Sequence, residues 1–289
     1  MWSNIWPRGC ARTAKRARHS GSSSKISHAR TGCCERAAKS TAPAPRARSY
    51  RNCEQEHWDA SRSNSHTRPN VTPKERQRLR RLHAYERAAW EGGARYICGI
   101  DEVGRGPLAG PVVACAVVIE RPLRLEFLKD SKLVTELRRA DLDTSIREQA
   151  VCVCLGWADH EEIDRINILA ATKLAMNRAL AGLAQAPCRV LVDALSIPGC
   201  LYPQTPIIGG DRKSAAIAAA SIVAKVARDA HMTAMDAQYP GYGFAEHKGY
   251  STSSHFDALD RLGPCAIHRR SFMPVISPRL KFMYEADAS

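Results

Sequence analysis

From residue 72 onward, the spacing of apolar and polar positions changes period repeatedly, and each change marks an element. Thr72-Pro73-Lys74-Glu75 sets an N-cap, a proline at the first helical position and a glutamate at the third, a capping box. Leu79, Leu82 and Trp90 then share one side of a helix that Gly92-Gly93 ends. Three strand-like runs follow at 95–101, 111–119 and 150–158, with Lys129-Asp130-Ser131-Lys132 and a helical stretch from 135 to 149 between the last two. Ile168, Leu169, Leu174, Met176, Leu180 and Leu183 predict a single helix over 163–186, packed on a sheet. Residues 189–194 form a continuous apolar strand of the kind buried on both faces, ending in Asp193. Residues 206–211 repeat that arrangement and end in Asp211. A long alanine-rich helix runs from 213 to about 238, followed by a Gly/Tyr/His-rich loop over 239–252, a short helix to Leu262 and a basic, proline-marked tail.

Residues 1–70 keep no such period. They are rich in Arg, Ser, Ala and His, too polar to offset the entropy of ordering, and a disordered basic extension is expected. They carry 14 Lys/Arg against 4 Asp/Glu, whereas residues 71–289 carry 29 against 25. Most of the net +14 therefore lies outside the part expected to fold. Three readings of the extension stand side by side: a basic arm holding nucleic acid loosely, an organelle transit segment, or upstream sequence that is not translated. No Met lies between Met1 and Met176, and Val71 directly precedes the capped helix, so a valine codon at 71 offers an alternative start. Eleven cysteines with no C-x-x-C pair, several inside apolar runs, fit buried reduced thiols better than a disulfide framework. No apolar run of about 18 residues offers a membrane span, and a cytoplasmic protein with no membrane partner is expected.

The densest chemistry lies in Tyr96-Ile97-Cys98-Gly99-Ile100-Asp101-Glu102-Val103-Gly104-Arg105-Gly106-Pro107, where an apolar run meets two acids and then glycines. Alternate strand residues face opposite ways, so Asp101 and Glu102 serve one site only if the backbone bends. The stretch reads either as a strand end presenting carboxylate to a metal and amide N–H groups to an oxygen-rich substrate, or as an edge strand entering a turn with two solvated acids. Asp193 and Asp211 favour the first reading, because an acid closing an apolar strand is costly unless solvated or bound to a cation. Ser221, Lys225 and Arg228 fall at i, i+4 and i+7 on one helix face, as phosphate contacts or a solvated stripe. Lys225 and Arg228 also offer Asp229 an ordinary helix-surface pairing.

The run Gly99-Ile100-Asp101-Glu102-Val103-Gly104-Arg105-Gly106-Pro107-Leu108-Ala109-Gly110-Pro111 resembles the opening motif of ribonuclease HII. So do Asp130-Ser131-Lys132, Leu191-Val192-Asp193, the block 219–229, and His247-Lys248-Gly249-Tyr250 with His268-Arg269-Arg270-Ser271-Phe272, in the same order. The resemblance covers roughly 75–275 and implies a catalytic domain over 71–275, with 276–289 a tail. It implies an α/β fold, a ribonuclease H-like mixed sheet with flanking helices and a small C-terminal helical part. It further implies an endoribonuclease acting on RNA–DNA hybrids and on DNA duplexes containing ribonucleotides, leaving 5′-phosphate and 3′-hydroxyl. Asp101, Glu102, Asp193 and Asp211 take the places of the family's metal-binding carboxylates, and Asp229 is a fifth acid of lower rank. The chain departs from the family at Gly210, where Lys is common, and at Leu133, where Lys or Gln is common.

An all-oxygen carboxylate set suits Mg²⁺ or Mn²⁺, and two such ions both activate a hydroxide and stabilise a leaving 3′-oxygen. Amides exposed at Gly104, Arg105 and Gly106 can bond a ribose 2′-hydroxyl, the group that separates RNA from DNA. Tyr250 has the flat face to stack on a sugar or base, and otherwise packs on the core. Arg105, Lys132, Ser221 and Lys225 are candidate phosphate contacts. A monomer is expected. Two other functions compete: another nuclease or strand transferase on the same fold, and a non-catalytic duplex-binding protein.

Overall fold

The computed structural model describes residues 72–128, 131 and 134–276. The expected basic extension, Lys132, Leu133 and the tail from residue 277 lie outside them. Five strands form one mixed sheet in the order β3-β2-β1-β4-β5. β1 (Ile97–Val103), β2 (Val112–Ile119) and β3 (Cys152–Ala158) are antiparallel neighbours, while β4 (Arg189–Asp193) runs parallel to β1 and β5 (Gln204–Ile207) parallel to β4. Every residue of β2 is buried, which requires cover on both faces.

That cover follows from the strand period of two. Ile97, Cys115, Val117, Ile119 and Leu191 share one apolar cluster with Leu79 and Leu82 of α1 (Pro73–Leu82), Trp90 of α2 (Ala84–Glu91), Leu142 and Ile146 of α3 (Glu136–Gln149), and α6 (Ala215–Gln238). Cys98, Ile100, Ala114, Ala116, Val118, Val190 and Val192 belong to the other, closed by Ile163 of α4 (His160–Ile166) and by Ala171, Ala175, Met176 and Ala179 of α5 (Ile168–Ala181). Two glycines set how near the helices come. A Cβ on Gly99 would lie 2.1 Å from the Ala216 carbonyl carbon of α6, and one on Gly156 2.0 Å from the Ala175 oxygen of α5. Smaller clusters pack Leu108 and Ala109 against α7 (Phe244–His247), α8 (Ser253–Leu262) and α9 (Met273–Ile276), the short C-terminal helices.

Several expectations are corrected. The first helix is two, broken at His83, whose ring Nδ1 meets the Leu79 carbonyl at 2.9 Å while Nε2 accepts from Leu123 N at 3.0 Å. Thr72 does cap the first, accepting from Glu75 N, whereas the Glu75 carboxylate takes the Arg78 guanidinium and the Phe127 amide. The helix expected over 163–186 is also two: Asn167 adopts φ 66°, and its side chain accepts from Leu169 N and Ala170 N to start the second. The third apolar run ends as a strand at Ile207, and Asp211 sits on a 3₁₀ turn, Gly210–Arg212, rather than at a strand end. Among the described residues the seven cysteines are free thiols, and no helix is long and apolar enough to cross a membrane.

Candidate active site

β1 does not bend at its two acids. It stays paired with β2 through Asp101, Glu102 and Val103, so Asp101 starts from the α6 face and Glu102 from the other. The β1–β4 register, which aligns Ile100 with Val192, brings Asp101 and Asp193 level at the ends of adjacent parallel strands. Asp101 is buried and accepts from Glu102 N at 2.8 Å and from the Ser221 hydroxyl. Burial, and after it the charges of Glu102 and Asp193, hold its carboxyl well above the usual carboxylate range. Glu102 is also raised, chiefly by burial and further by Asp193, against the pull of Arg105, whose Nη1 lies 3.2 Å from Oε1. The other oxygen, Glu102 Oε2, is buried without a partner. Asp193 Oδ1 accepts from Gly210 N at 2.6 Å, which ties it to the turn carrying Asp211.

Asp101, Glu102 and Asp193 thus lie near enough to feel one another's charge, and the Asp211 carboxylate lies 3.9 Å from Arg212. Among the described residues no three His, Cys, Asp or Glu gather closely enough to hold a metal ion, so the four-carboxylate set is not assembled as a ligand shell. The chemistry of the set nonetheless fits a hard divalent cation: oxygen donors only, mutually repelling, one of them an orphaned buried carboxylate oxygen.

Helix α6 supplies the side of the site toward Asp101. Ser221 Oγ is 3.0 Å from Ser131 Oγ, joining Asp101 to the segment before α3. Lys225 is largely buried and pairs with Asp229 at 2.8 Å, and Arg139 adds a contact to Asp229 at 3.8 Å. Lys225 Nζ and the Arg228 guanidinium approach the half-buried Tyr250 ring, at 5.4 and 5.6 Å from its centre. The pairing expected between Arg228 and Asp229 is corrected. Arg228 is fully buried and donates to the carbonyls of Pro111, Lys248 and Ala109, because the loop after β1 folds back over this part of the helix.

That loop carries the glycines. Gly104 is buried at φ 91°, and a Cβ there would strike Arg228 Nε at 2.2 Å, so only glycine fits. Arg105 and Gly106 are exposed. A second fully buried arginine, Arg269, donates to the carbonyls of Gly110, Arg105 and Gly104 at 2.9, 2.9 and 2.6 Å. Its role has no sequence signature, since the adjacent Arg270 is exposed and reads identically. Three histidines support the Tyr250 segment: Cys265 N donates to His268 Nδ1, His268 Nε2 and His255 Nε2 are 3.0 Å apart, and His255 Nδ1 meets the Tyr250 carbonyl at 2.9 Å. His247 stacks on His255 at 4.4 Å.

Comparison with known proteins follows the same residues. The family model for ribonuclease HII matches residues 98–275. A protein of Moorella thermoacetica named ribonuclease HII is 52% identical over 198 residues, 68% of this chain and 96% of that protein. One of Parvibaculum lavamentivorans with the same name is 56% identical over 194 residues, 65% of this chain and 71% of that protein. Among solved structures, the ribonuclease H2 of Pyrococcus horikoshii superposes with a TM-score of 0.54 at 25% identity, covering 65% of this chain and 99% of that one.

Proposed function

The chain belongs to the ribonuclease HII family, an endoribonuclease H on a mixed α/β sheet, and on that basis we propose that it cuts RNA in RNA–DNA hybrids and cleaves 5′ of ribonucleotides embedded in DNA, leaving 5′-phosphate and 3′-hydroxyl. The observation that carries this reading is the meeting of Asp101 and Asp193 beside a glycine loop whose Arg105 and Gly106 are open to solvent. Asp101, Glu102, Asp193 and Asp211 would hold two divalent ions, Mg²⁺ or Mn²⁺, which when bound supply an activated water and charge stabilisation for the leaving 3′-oxygen. The amides of the Gly104-Arg105-Gly106 loop donate to the ribose 2′-hydroxyl, so that a deoxyribose leaves them unmatched. Tyr250 stacks on the sugar at the cut, with Lys225 behind its ring. Arg105, Lys132, Ser221 and Lys225 meet phosphates. In this reading residues 71–275 act as a monomeric catalytic domain in the cytoplasm, with the basic extension and the tail outside the chemistry.

The test is single-turnover cleavage of a labelled hybrid and of a duplex with one ribonucleotide, with Mg²⁺ or with chelator. Asp101→Asn should abolish cutting of both while duplex binding persists. Tyr250→Ala should lose about ten- to a hundred-fold on the lone ribonucleotide, the worth of one stacked base, and less on the hybrid, where many registers compensate. Robust cleavage by Asp101→Asn overturns the site, and binding without any cutting by wild type would make the protein a duplex binder.

A further inference from the structure

Two whole guanidinium groups lie buried under the glycine loop, and among the described residues neither makes an ion pair. A buried cation is costly unless each of its nitrogens finds a partner. Here the six bonds of Arg228 and Arg269 all end on backbone carbonyls, five of them in the stretch 104–111 and one at Lys248. The cost is visible in Arg269, whose pKa falls to about 9, through burial first and then the neighbouring Arg228 charge. A well-packed apolar pair would fill the same space without it, so the guanidinium forks have a directional task.

Peptide geometry identifies that task. Every peptide here is trans, and a trans unit points its carbonyl and the next residue's N–H in opposite directions. With the Gly104 and Arg105 carbonyls held inward by Arg269, the Arg105 and Gly106 amides are turned outward, on the two residues that are exposed. Arg228 holds the Ala109 and Pro111 carbonyls and also that of Lys248, two residues before Tyr250.

We propose that Arg228 and Arg269 are positioning residues for ribose recognition: their forks fix the outward pair of amides and lock that loop to the Tyr250 segment, making one rigid reader of the sugar. This rests on the reading that those amides meet the 2′-hydroxyl. The two inward positive charges also favour a phosphodiester over the loop, and they act on any duplex, whereas the fork acts only where a ribose sits.

Arg269→Lys separates the two effects, because it keeps the charge and removes the fork. Binding is measured with chelator present, to a duplex with one ribonucleotide and to its all-DNA counterpart. The wild-type preference for the ribonucleotide should fall by about fivefold or more, as expected for loss of aligned hydrogen bonds, while all-DNA affinity stays within about twofold. Single-turnover cutting should fall about ten- to a hundred-fold. Amide exchange gives a readout independent of substrate: Leu108 N and Gly110 N, bonded to Gly249 O and Ile267 O, should exchange at least about tenfold faster, with β1 unchanged. A folded Arg269→Lys with wild-type preference and exchange overturns the proposal. If wild type neither prefers nor cuts ribonucleotides, the functional reading fails, and exchange still decides whether the forks hold the loop. Should Arg269→Lys not fold, Arg228→Lys takes its place; failure of both to fold would assign the arginines to stability alone and overturn the proposal.

Discussion

Asp101 is held where its charge is opposed from every side: it is buried, Glu102 follows it, and Asp193 lies level with it on the next strand. Such a cluster stabilises a bound cation and destabilises the cation-free fold. Asp101→Asn should therefore raise the thermal midpoint of metal-free protein by about 2–4 °C, on the order of 1 kcal/mol for a domain of this size, while destroying activity. Adding Mg²⁺ should raise the wild-type midpoint and move the variant less, and a variant melting below wild type without metal would contradict this. The acids were legible in the sequence because an aspartate closing an apolar run is anomalous. Arg228 and Arg269 were not, because helix spacing says which residues share a face but not that a distant loop will cover it. Glu102 Oε2, the orphaned oxygen, shows only in three dimensions.

Among the elements, α6 carries Ser221, Lys225 and Arg228, and its start is fixed by a residue that no pattern singles out. Glu86 of α2 is buried, and its Oε1 accepts from Ser214 Oγ at 2.5 Å and Ala216 N at 2.9 Å, the first turn of α6. Burial raises its pKa, against those bonds. Glu86→Ala strands two buried donors, at about 1–3 kcal/mol in all, and should lower the thermal midpoint by about 2–12 °C. Glu86→Gln, which keeps an acceptor, should lose much less; equal losses would mean that packing alone matters there. The strand runs along the chain and the long helix were readable from period, whereas the breaks at His83 and Asn167 were not. Each is a single residue in a run whose apolar spacing continues on both sides, and an asparagine at positive φ leaves that spacing intact.

Over the whole molecule, acidity should act through buried histidines. His83, His255 and His268 titrate at about 4, 4 and 3 in the fold, mainly because burial opposes their charged forms, against 6.5 as the ordinary value. Below pH 6.5 the unfolded chain binds protons that the fold refuses, so stability drops by about 1.4 kcal/mol per pH unit per histidine; above 6.5 they add no slope. Asp101, Glu102 and Glu86, raised in the fold, work in the opposite sense as pH falls toward their unfolded values. Denaturant midpoints of wild type and His268→Gln at pH 7.5 and 5.5 isolate the histidine part. The variant should lose less between the two pH values, by roughly 1 kcal/mol, and identical losses would rule out His268 as a source.

The clearance at Gly99 has a consequence for the site as a gauge. Asp101 is two residues along from Gly99 on the same face of β1, and Ser221 follows Ala216 by little more than one turn of α6. The spacing between carboxylates on the sheet and hydroxyl and cationic groups on the helix is therefore set by a contact with no side chain between. Ordinary contact for a Cβ begins near 3.4 Å, against the 2.1 Å available at Ala216, so one added methyl would displace the helix by about 1 Å. That shift would move Ser221, Lys225 and Arg228 together, without changing the identity of any of them. The reach of the site is written into a missing atom two residues before the strand's first acid, and tolerance of a single carbon there would mean that the sheet-to-helix distance is not what tunes it.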